Sequence, residues 1–123
     1  MGKKLVFVVD DEPALAEVVT AYLEERGFAV ATFTSPVTAL AASASRKPDL
    51  LLSDFKMDGM DGLTLATKLT ERHPTCKVLI MSGDIYDATT HPAQNRFELL
   101  QKPIPLASLL EKITEMLGGD QLP

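Results

Sequence analysis

The sequence contains no tryptophan, a single cysteine and few aromatic residues. Cys76 has no second cysteine to pair with, so an internal disulfide and a zinc site built from several cysteines are excluded. No apolar stretch approaches the length of about eighteen residues that a membrane-spanning helix needs. The apolar run after Lys3-Lys4 is too short for a signal peptide. We therefore expect a cytoplasmic protein that makes no direct contact with a membrane.

Basic residues are also scarce relative to acidic ones. The chain has 12 Lys and Arg against 17 Asp and Glu, which gives a net charge of −5. Because nucleic-acid-binding faces are usually basic, we expect no direct binding of nucleic acid. The length of 123 residues predicts a single domain spanning 1–123, with an ordered core at about 3–118 and a short flexible tail.

Short apolar segments alternate with segments of helical periodicity from one end of the chain to the other. The apolar segments predict five strands, at residues 5–9, 28–33, 50–53, 77–81 and 97–100. The periodic segments predict helices at residues 12–26, 36 to about 45, 61 or 62 to 73, and 105–118. Segment 84–96 has few apolar anchors and contains Pro92, so we expect a short or distorted helix there.

This alternation predicts an α/β fold with a doubly wound parallel sheet of five strands. Unbroken apolar strands are typical of a sheet that is covered by helices on both faces. The flavodoxin-like (βα)5 arrangement, with strand order 2-1-3-4-5, places the first and third strands side by side. This strand order is predicted partly because it brings acidic residues at the strand ends together, so it is not independent support for their proximity.

Charged residues follow three of the predicted strands. Asp10 and Asp11 follow the first strand, Asp54 follows the third, and Lys102 lies just after the fifth. Ligands of open α/β sheets bind outside the carboxyl ends of the strands, where these side chains would meet. Clustered carboxylates repel one another unless a cation compensates them. The pattern therefore favours a Mg²⁺ site and phosphoryl chemistry over a purely structural role.

Four motifs occur in order at the predicted strand ends: Val8-Val9-Asp10-Asp11-Glu12-Pro13, Asp54 with Met57 and Gly59-Met60-Asp61-Gly62 after it, Met81-Ser82-Gly83, and Lys102-Pro103. Each motif is weak alone. Together they resemble the receiver domain of bacterial two-component response regulators, the CheY-like proteins, over nearly the whole chain. The resemblance also makes the Lys102–Pro103 bond a candidate cis peptide.

The resemblance implies a metal site and a phosphoacceptor. Asp54 is the expected phosphoacceptor, since carboxylates act as nucleophiles toward phosphoryl groups. The expected ligands of Mg²⁺ are Asp10, Asp11, Asp54 and the backbone carbonyl of Lys56. Oxygen ligands of this kind suit Mg²⁺, which keeps several of its waters.

The resemblance assigns Lys102 and Ser82 to the phosphoryl group. Lys102 would pair with Asp54 or with phosphoryl oxygens, and the hydroxyl of Ser82 would reach a phosphoryl oxygen after transfer. The product would be an aspartyl phosphate that works as a signalling switch with slow autodephosphorylation, not a turnover enzyme. The expected donor is a sensor histidine kinase or a histidine phosphotransfer domain, and the downstream protein is not specified by the sequence.

Two readings of the protein's context stay open. The chain ends just past the last predicted helix, so we expect no DNA-binding module of its own. It is either a single-domain regulator or a receiver cut from a longer protein. The string from Leu99 to Ile104 is similar to receivers of hybrid sensor kinases, which slightly favours the second reading.

The chain departs from the family pattern at several positions. Asp58 follows Met57 where the family often has proline. Leu99 stands where the family usually has Tyr or Phe as a rotameric switch, and Phe97 is the nearest aromatic residue of the same strand parity. The two histidines, both next to prolines, are interpreted as loop residues without a role.

A hypothesis concerns two residues flanking the expected phosphoryl group. Lys56 and Asp84 lie two residues after Asp54 and Ser82, at positions that in this family flank the path of the hydrolytic water. A Lys–Asp pair there would bridge over the phosphoryl group and slow its loss.

Two alternative functions remain. A degenerate receiver that only binds partners is disfavoured by the complete set of site residues, although Leu99 keeps it open. A Mg²⁺-dependent phosphohydrolase with Asp54 as nucleophile would need a general acid and a cap over the site. Lys56 stands where that acid would be, and no cap insertion is present.

Overall fold

The structure is a computed structural model and describes residues 2–118, except for the side chains of residues 85 and 87. The predicted flexible tail at 119–123 lies outside the described residues.

Five parallel strands form one sheet in the order β2-β1-β3-β4-β5, which confirms the predicted topology. The strands are β1 (Leu5–Val9), β2 (Ala29–Phe33), β3 (Leu50–Asp54), β4 (Lys77–Ser82) and β5 (Glu98–Gln101). The helices are α1 (Pro13–Glu25), α2 (Pro36–Ala42), α3 (Gly62–Arg72), α4 (Ile85–Thr89) and α5 (Leu106–Met116). The topological switch point, where the order of the strands reverses, therefore lies between β1 and β3, as expected.

The sheet is buried between two apolar layers. Alternate residues of β1 point to opposite faces, so Phe7 and Val9 pack with α2, α3 and α4, whereas Val6 and Val8 pack with α1 and α5. All four of these side chains are fully or almost fully buried. Burial on both faces explains why the strands have continuous apolar sequences without polar alternation.

Local signals set the helix ends. The Ser35 hydroxyl caps α2 by accepting the N–H of Val37, and the Asp61 carboxylate caps α3 by accepting the N–H of Thr64. Gly27 follows α1 with a φ of 94°, a left-handed conformation that glycine adopts without a steric penalty. Helix α2 ends at Ala42, and not near residue 45 as predicted.

The segment between β4 and β5 is the least regular part of the molecule. The expected short helix is confirmed, since α4 has only five residues. It is followed by single turns in which the N–H of Gln94 bonds the carbonyl of His91 and that of Arg96 bonds the carbonyl of Ala93. Pro92, which has no N–H to donate, is consistent with the absence of a longer helix here.

Candidate functional site

The carboxyl ends of four strands meet at one edge of the sheet. Asp10 directly follows β1, Asp54 ends β3, Ser82 ends β4 and Lys102 directly follows β5. The backbone N–H of Lys102 bonds the carbonyl of Ser82 at 2.8 Å, which ties the last two strand ends together. The side chains singled out at the strand ends are therefore neighbours, although they are far apart in the sequence.

The three aspartates form a compact acidic cluster. Carboxylate oxygens of Asp10, Asp11 and Asp54 all lie within 4.8 Å of one another. Asp10 is buried, and its carboxylate accepts the N–H of Glu12 at 2.9 Å. Asp11 is exposed at the mouth of the cluster. These distances are short enough for one cation to contact all three carboxylates.

Asp54 is almost completely buried, with 7% of its surface exposed. Burial is the main cause that raises the pKa of its carboxyl above the ordinary value. The hydrogen bond and positive charge of Lys102, which forms an ion pair with Asp54, oppose this shift. The negative charges of Asp10 and Asp11 add to it. Positive charge at this site therefore favours the ionised form of Asp54.

The segment between β3 and α3 is held close to Asp54. The N–H of Phe55 bonds the carbonyl of Met81, and the N–H of Gly62 bonds the carbonyl of Phe55 at 2.7 Å. Gly62 lies so close to β3 that a β-carbon there would be 2.2 Å from the backbone oxygen of Asp54. The loop that carries Lys56 is thus closed at both ends by backbone hydrogen bonds.

The hydroxyl of Ser82 is engaged with the backbone of the next loop. It donates its proton to the carbonyl of Asp84 at 2.8 Å and accepts the N–H of the same residue at 3.1 Å. The carboxylate of Asp84 accepts the N–H of Tyr86 at 3.0 Å and so caps α4. Lys56 is exposed. The proposed Lys56–Asp84 bridge stays a prediction.

Near β5, Leu99 and Phe97 both pack against the apolar layer of α2, α3 and α4. Phe97 lies just before β5, under the guanidinium of Arg96, which is 5.1 Å from its ring centre. Both residues face the same side of the sheet, as predicted from their spacing of two positions. The Lys102–Pro103 peptide bond is cis, as the resemblance suggested.

Sequence reasoning missed the contacts of two side chains, one of them beside the site. Gln101 donates a hydrogen bond from Nε2 to the carbonyl of Gly83 at 2.7 Å. His91, to which we assigned no role, places Nε2 3.3 Å from a carboxylate oxygen of Asp61 and 3.1 Å from the hydroxyl of Thr64. The sequence motifs gave no signal for either residue, because each side chain bonds a partner in another segment of the chain.

An apolar groove of about 530 Å³ opens beside the acidic cluster. Asp10 and Lys102 stand at its edge toward the cluster, and its walls come from α1, the start of α5 and the segment between β5 and α5. Two of its α1 residues, Leu15 and Val18, are 45% and 53% exposed. This groove is continuous with the site.

No helix within residues 2–118 is long and apolar enough to cross a membrane.

The sequence is similar to parts of larger signalling proteins. DNA-binding transcriptional regulator NtrC of Salmonella typhimurium is 39% identical over 128 aligned residues, which cover 100% of this chain and 27% of NtrC. Sensor kinase CckA of Brucella abortus is 35% identical over 120 residues, which cover 94% of this chain and 13% of CckA. The chain therefore spans well under a third of the length of either relative.

Solved structures share the fold. A CheY-like response regulator receiver domain protein from Methanospirillum hungatei superposes with a TM-score of 0.87 at 25% identity, over 98% of both chains. Response regulator TrrA from Thermotoga maritima, solved in complex with Mg²⁺-BeF, gives a TM-score of 0.83 at 26% identity, over 93% of this chain and 99% of that one.

A family model covers most of the chain. It describes the response regulator receiver domain and matches residues 6–114, from β1 into α5. The predicted family is therefore confirmed, and the chain belongs to the response regulator receiver domain family.

Proposed function

We propose that this receiver domain is a phosphorylation-dependent switch in which Asp54 accepts a phosphoryl group from a phosphohistidine on a partner protein. The observation that carries this proposal is the placement of Asp54, buried beside Asp10 and Asp11 and paired with Lys102. A carboxylate between acidic groups and one ammonium is poorly suited to a structural core, but it is suited to a site that gains a cation and an anionic group.

The donor set fits Mg²⁺. Three carboxylates within 4.8 Å of one another supply the oxygen ligands that this ion prefers, and one of them is exposed at the mouth. The residues that would hold it are Asp10, Asp11, Asp54 and the backbone carbonyl of Lys56. When bound, Mg²⁺ supplies positive charge that offsets the carboxylates and the phosphoryl oxygens.

The residues of the chain perform a displacement at phosphorus. A carboxylate oxygen of Asp54 forms the new P–O bond while the P–N bond of the donor histidine breaks, and the electron pair of that bond stays with the imidazole. Lys102 is placed to neutralise the negative charge of the phosphoryl oxygens. Catalysis then consists mainly of positioning and charge neutralisation, without a general acid or a turnover cycle.

The product changes the charge of the pocket. An aspartyl phosphate brings about −1.5 to −2 charges in place of one, which attracts Lys102 and gives Ser82 a new acceptor. Ser82 would then leave Asp84, whose carboxylate caps α4. The signal would therefore pass to the downstream protein through the loop between β4 and α4.

We propose that the phosphohistidine donor binds at the groove beside the site. A histidine kinase or a histidine phosphotransfer domain must bring its imidazole to Asp54, and exposed apolar side chains of α1 line the adjoining groove. An apolar partner surface seated there would exclude water and hold the phosphohistidine in line with the carboxylate. This docking mode is the same for a domain that works alone and for one within a longer regulator or hybrid kinase.

A labelling time course with acetyl phosphate and Mg²⁺ tests the switch against its alternatives. The switch is expected to take up one phosphoryl group per chain and release phosphate slowly. A phosphohydrolase would release phosphate steadily in many turnovers, and a degenerate receiver would take up no label. Either of these last two results would contradict the proposal.

A further inference from the structure

The side chain of Gln101 connects the ends of β4 and β5, near Ser82 and Lys102. Its Nε2 donates to the carbonyl of Gly83 at 2.7 Å and to the carbonyl of Lys102 at 3.2 Å. Carbonyl oxygens only accept hydrogen bonds, so the amide nitrogen must face both of them, and its two protons can serve both at once. Neither contact involves the aspartates or the ammonium of Lys102.

Gly83 is the middle residue of a closed turn. The hydroxyl of Ser82 bonds both the carbonyl and the N–H of Asp84 across this turn. A serine hydroxyl has one proton to donate, so in this arrangement it is not available to a phosphoryl oxygen. Donating that proton to a phosphoryl oxygen therefore requires the bond that closes the turn, from Ser82 to the carbonyl of Asp84, to break.

The sheet does not hold this turn by itself. The backbone carbonyl of Ser82 is fixed by the N–H of Lys102, but Gly83 lies beyond the end of β4. A β-carbon added to Gly83 would meet nothing within 4 Å, so the space on that side of the turn is open. The hydrogen bond from Gln101 connects the middle of the turn to the end of β5.

We propose that Gln101 is a positioning residue that holds the turn closed and so keeps the hydroxyl of Ser82 away from the phosphoryl site. It acts on Ser82 through Gly83 and does not touch the reacting atoms. This inference rests on the proposed function, because it concerns how readily the unphosphorylated domain adopts the arrangement that binds a phosphoryl group. Removing the restraint should favour that arrangement.

The test uses beryllofluoride, an analogue of the phosphoryl group, in the presence of Mg²⁺. In Gln101→Met, a side chain of similar length without a donor, we expect beryllofluoride to bind about fivefold more tightly, the ratio that one typical net hydrogen bond sustains. Affinity for Mg²⁺ alone should stay within about twofold of the parent, because the cation site is separate from the turn. Bound and free beryllofluoride are counted by ¹⁹F NMR.

Two further variants make the result specific. In a Ser82→Ala background, Gln101→Met should change the affinity for beryllofluoride by less than about twofold, because the hydroxyl through which Gln101 acts is gone. Gln94→Met makes the same change on the turn after α4 and should match the parent. The side chain of Gln101 is exposed, so its replacement should leave the melting temperature nearly unchanged.

The possible failures can be told apart. Binding that is unchanged or weaker in Gln101→Met, or tighter binding that persists with Ser82→Ala, would overturn the role of Gln101 and leave the proposed function intact. A parent protein that binds no beryllofluoride at any Mg²⁺ concentration would overturn the proposed function, and this inference with it.

Discussion

At the scale of single residues, the central feature is that Asp54 is buried although its carboxylate carries a charge when ionised. In the proposed function the carboxylate must be ionised to attack phosphorus, yet it is buried and lies beside two other carboxylates. Burial raises its pKa, and only the pairing with Lys102 lowers it substantially. We therefore expect the ionised carboxylate of Asp54 to lower the stability of the metal-free protein.

The first prediction follows from the sign of this shift. Because the pKa of Asp54 is higher in the folded than in the unfolded chain, its ionisation destabilises the fold at neutral pH. Asp54→Asn should raise the free energy of unfolding at pH 7 without metal, on the order of 1 kcal/mol. The gain should shrink as the pH falls and be nearly lost at about pH 3, below the ordinary pKa of aspartate, where the carboxyl is mostly protonated in both states. Urea unfolding at both values measures it.

A matched variant controls for the loss of one negative charge. Asp58 is exposed on the next loop, so Asp58→Asn should change the stability by less than about 0.5 kcal/mol. If Asp54→Asn stabilised the protein equally at pH 3 and pH 7, or destabilised it at pH 7, the electrostatic account of the site would be wrong.

The sequence predicted the residues whose position follows from strand ends. Asp10, Asp54 and Lys102 each adjoin an apolar run, so the parallel sheet alone places them at one edge. Gln101 and His91 gave no such signal, because each acts through a partner on a different loop. Their side-chain bonds depend on three-dimensional loop geometry that periodicity does not encode.

At the scale of secondary-structure elements, α3 approaches the backbone of β3 closely at Gly62. The sequence predicted that α3 begins near Gly62, but not that its first residue touches the backbone of Asp54. Gly62→Ala would place a β-carbon 2.2 Å from the backbone oxygen of Asp54, so the helix or the strand must move. We expect a loss of about 2 kcal/mol or more in stability, together with slower labelling by acetyl phosphate.

Gly83 provides the control for this prediction. A β-carbon there meets nothing within 4 Å, so Gly83→Ala should leave the free energy of unfolding within about 0.5 kcal/mol of the parent. Urea unfolding curves of the two variants make the comparison. Equal stability of the two variants would show that the close approach of α3 to β3 is not needed.

A third prediction concerns the exposed face of α1. Val18→Glu puts a charge into the apolar groove, where it should lower the rate of phosphotransfer from a phosphorylated histidine phosphotransfer domain about tenfold. Labelling by acetyl phosphate should be unaffected, because this small donor needs no docking surface. Radiolabel transfer and intact-mass measurements give the two rates.

Val37 on α2 is the matched control for this surface. It is 60% exposed but does not line the groove, so Val37→Glu should change neither rate. If both variants slowed transfer equally, or if Val18→Glu slowed labelling by acetyl phosphate, the groove would not be the docking site of the donor.

At the scale of the whole molecule, the parallel topology explains why most of the fold could be predicted from the sequence. Strands buried on both faces, short connections and right-handed crossovers leave few possible arrangements. The order of the strands then determines which loops meet at the functional edge. The short α4 was foreseen from Pro92 and sparse apolar anchors, but its turns and their tie to α3 depend on tertiary contacts that the sequence pattern does not contain.

The most direct test of the account is an intact-mass measurement after incubation with acetyl phosphate and Mg²⁺. The parent protein should gain the mass of one phosphoryl group, and the gain should require Mg²⁺. Asp54→Asn should gain none, because an amide oxygen cannot form the aspartyl phosphate. A parent that stays unlabelled, or an Asp54→Asn variant that is labelled as fast as the parent, would contradict the claim that Asp54 is the phosphoacceptor.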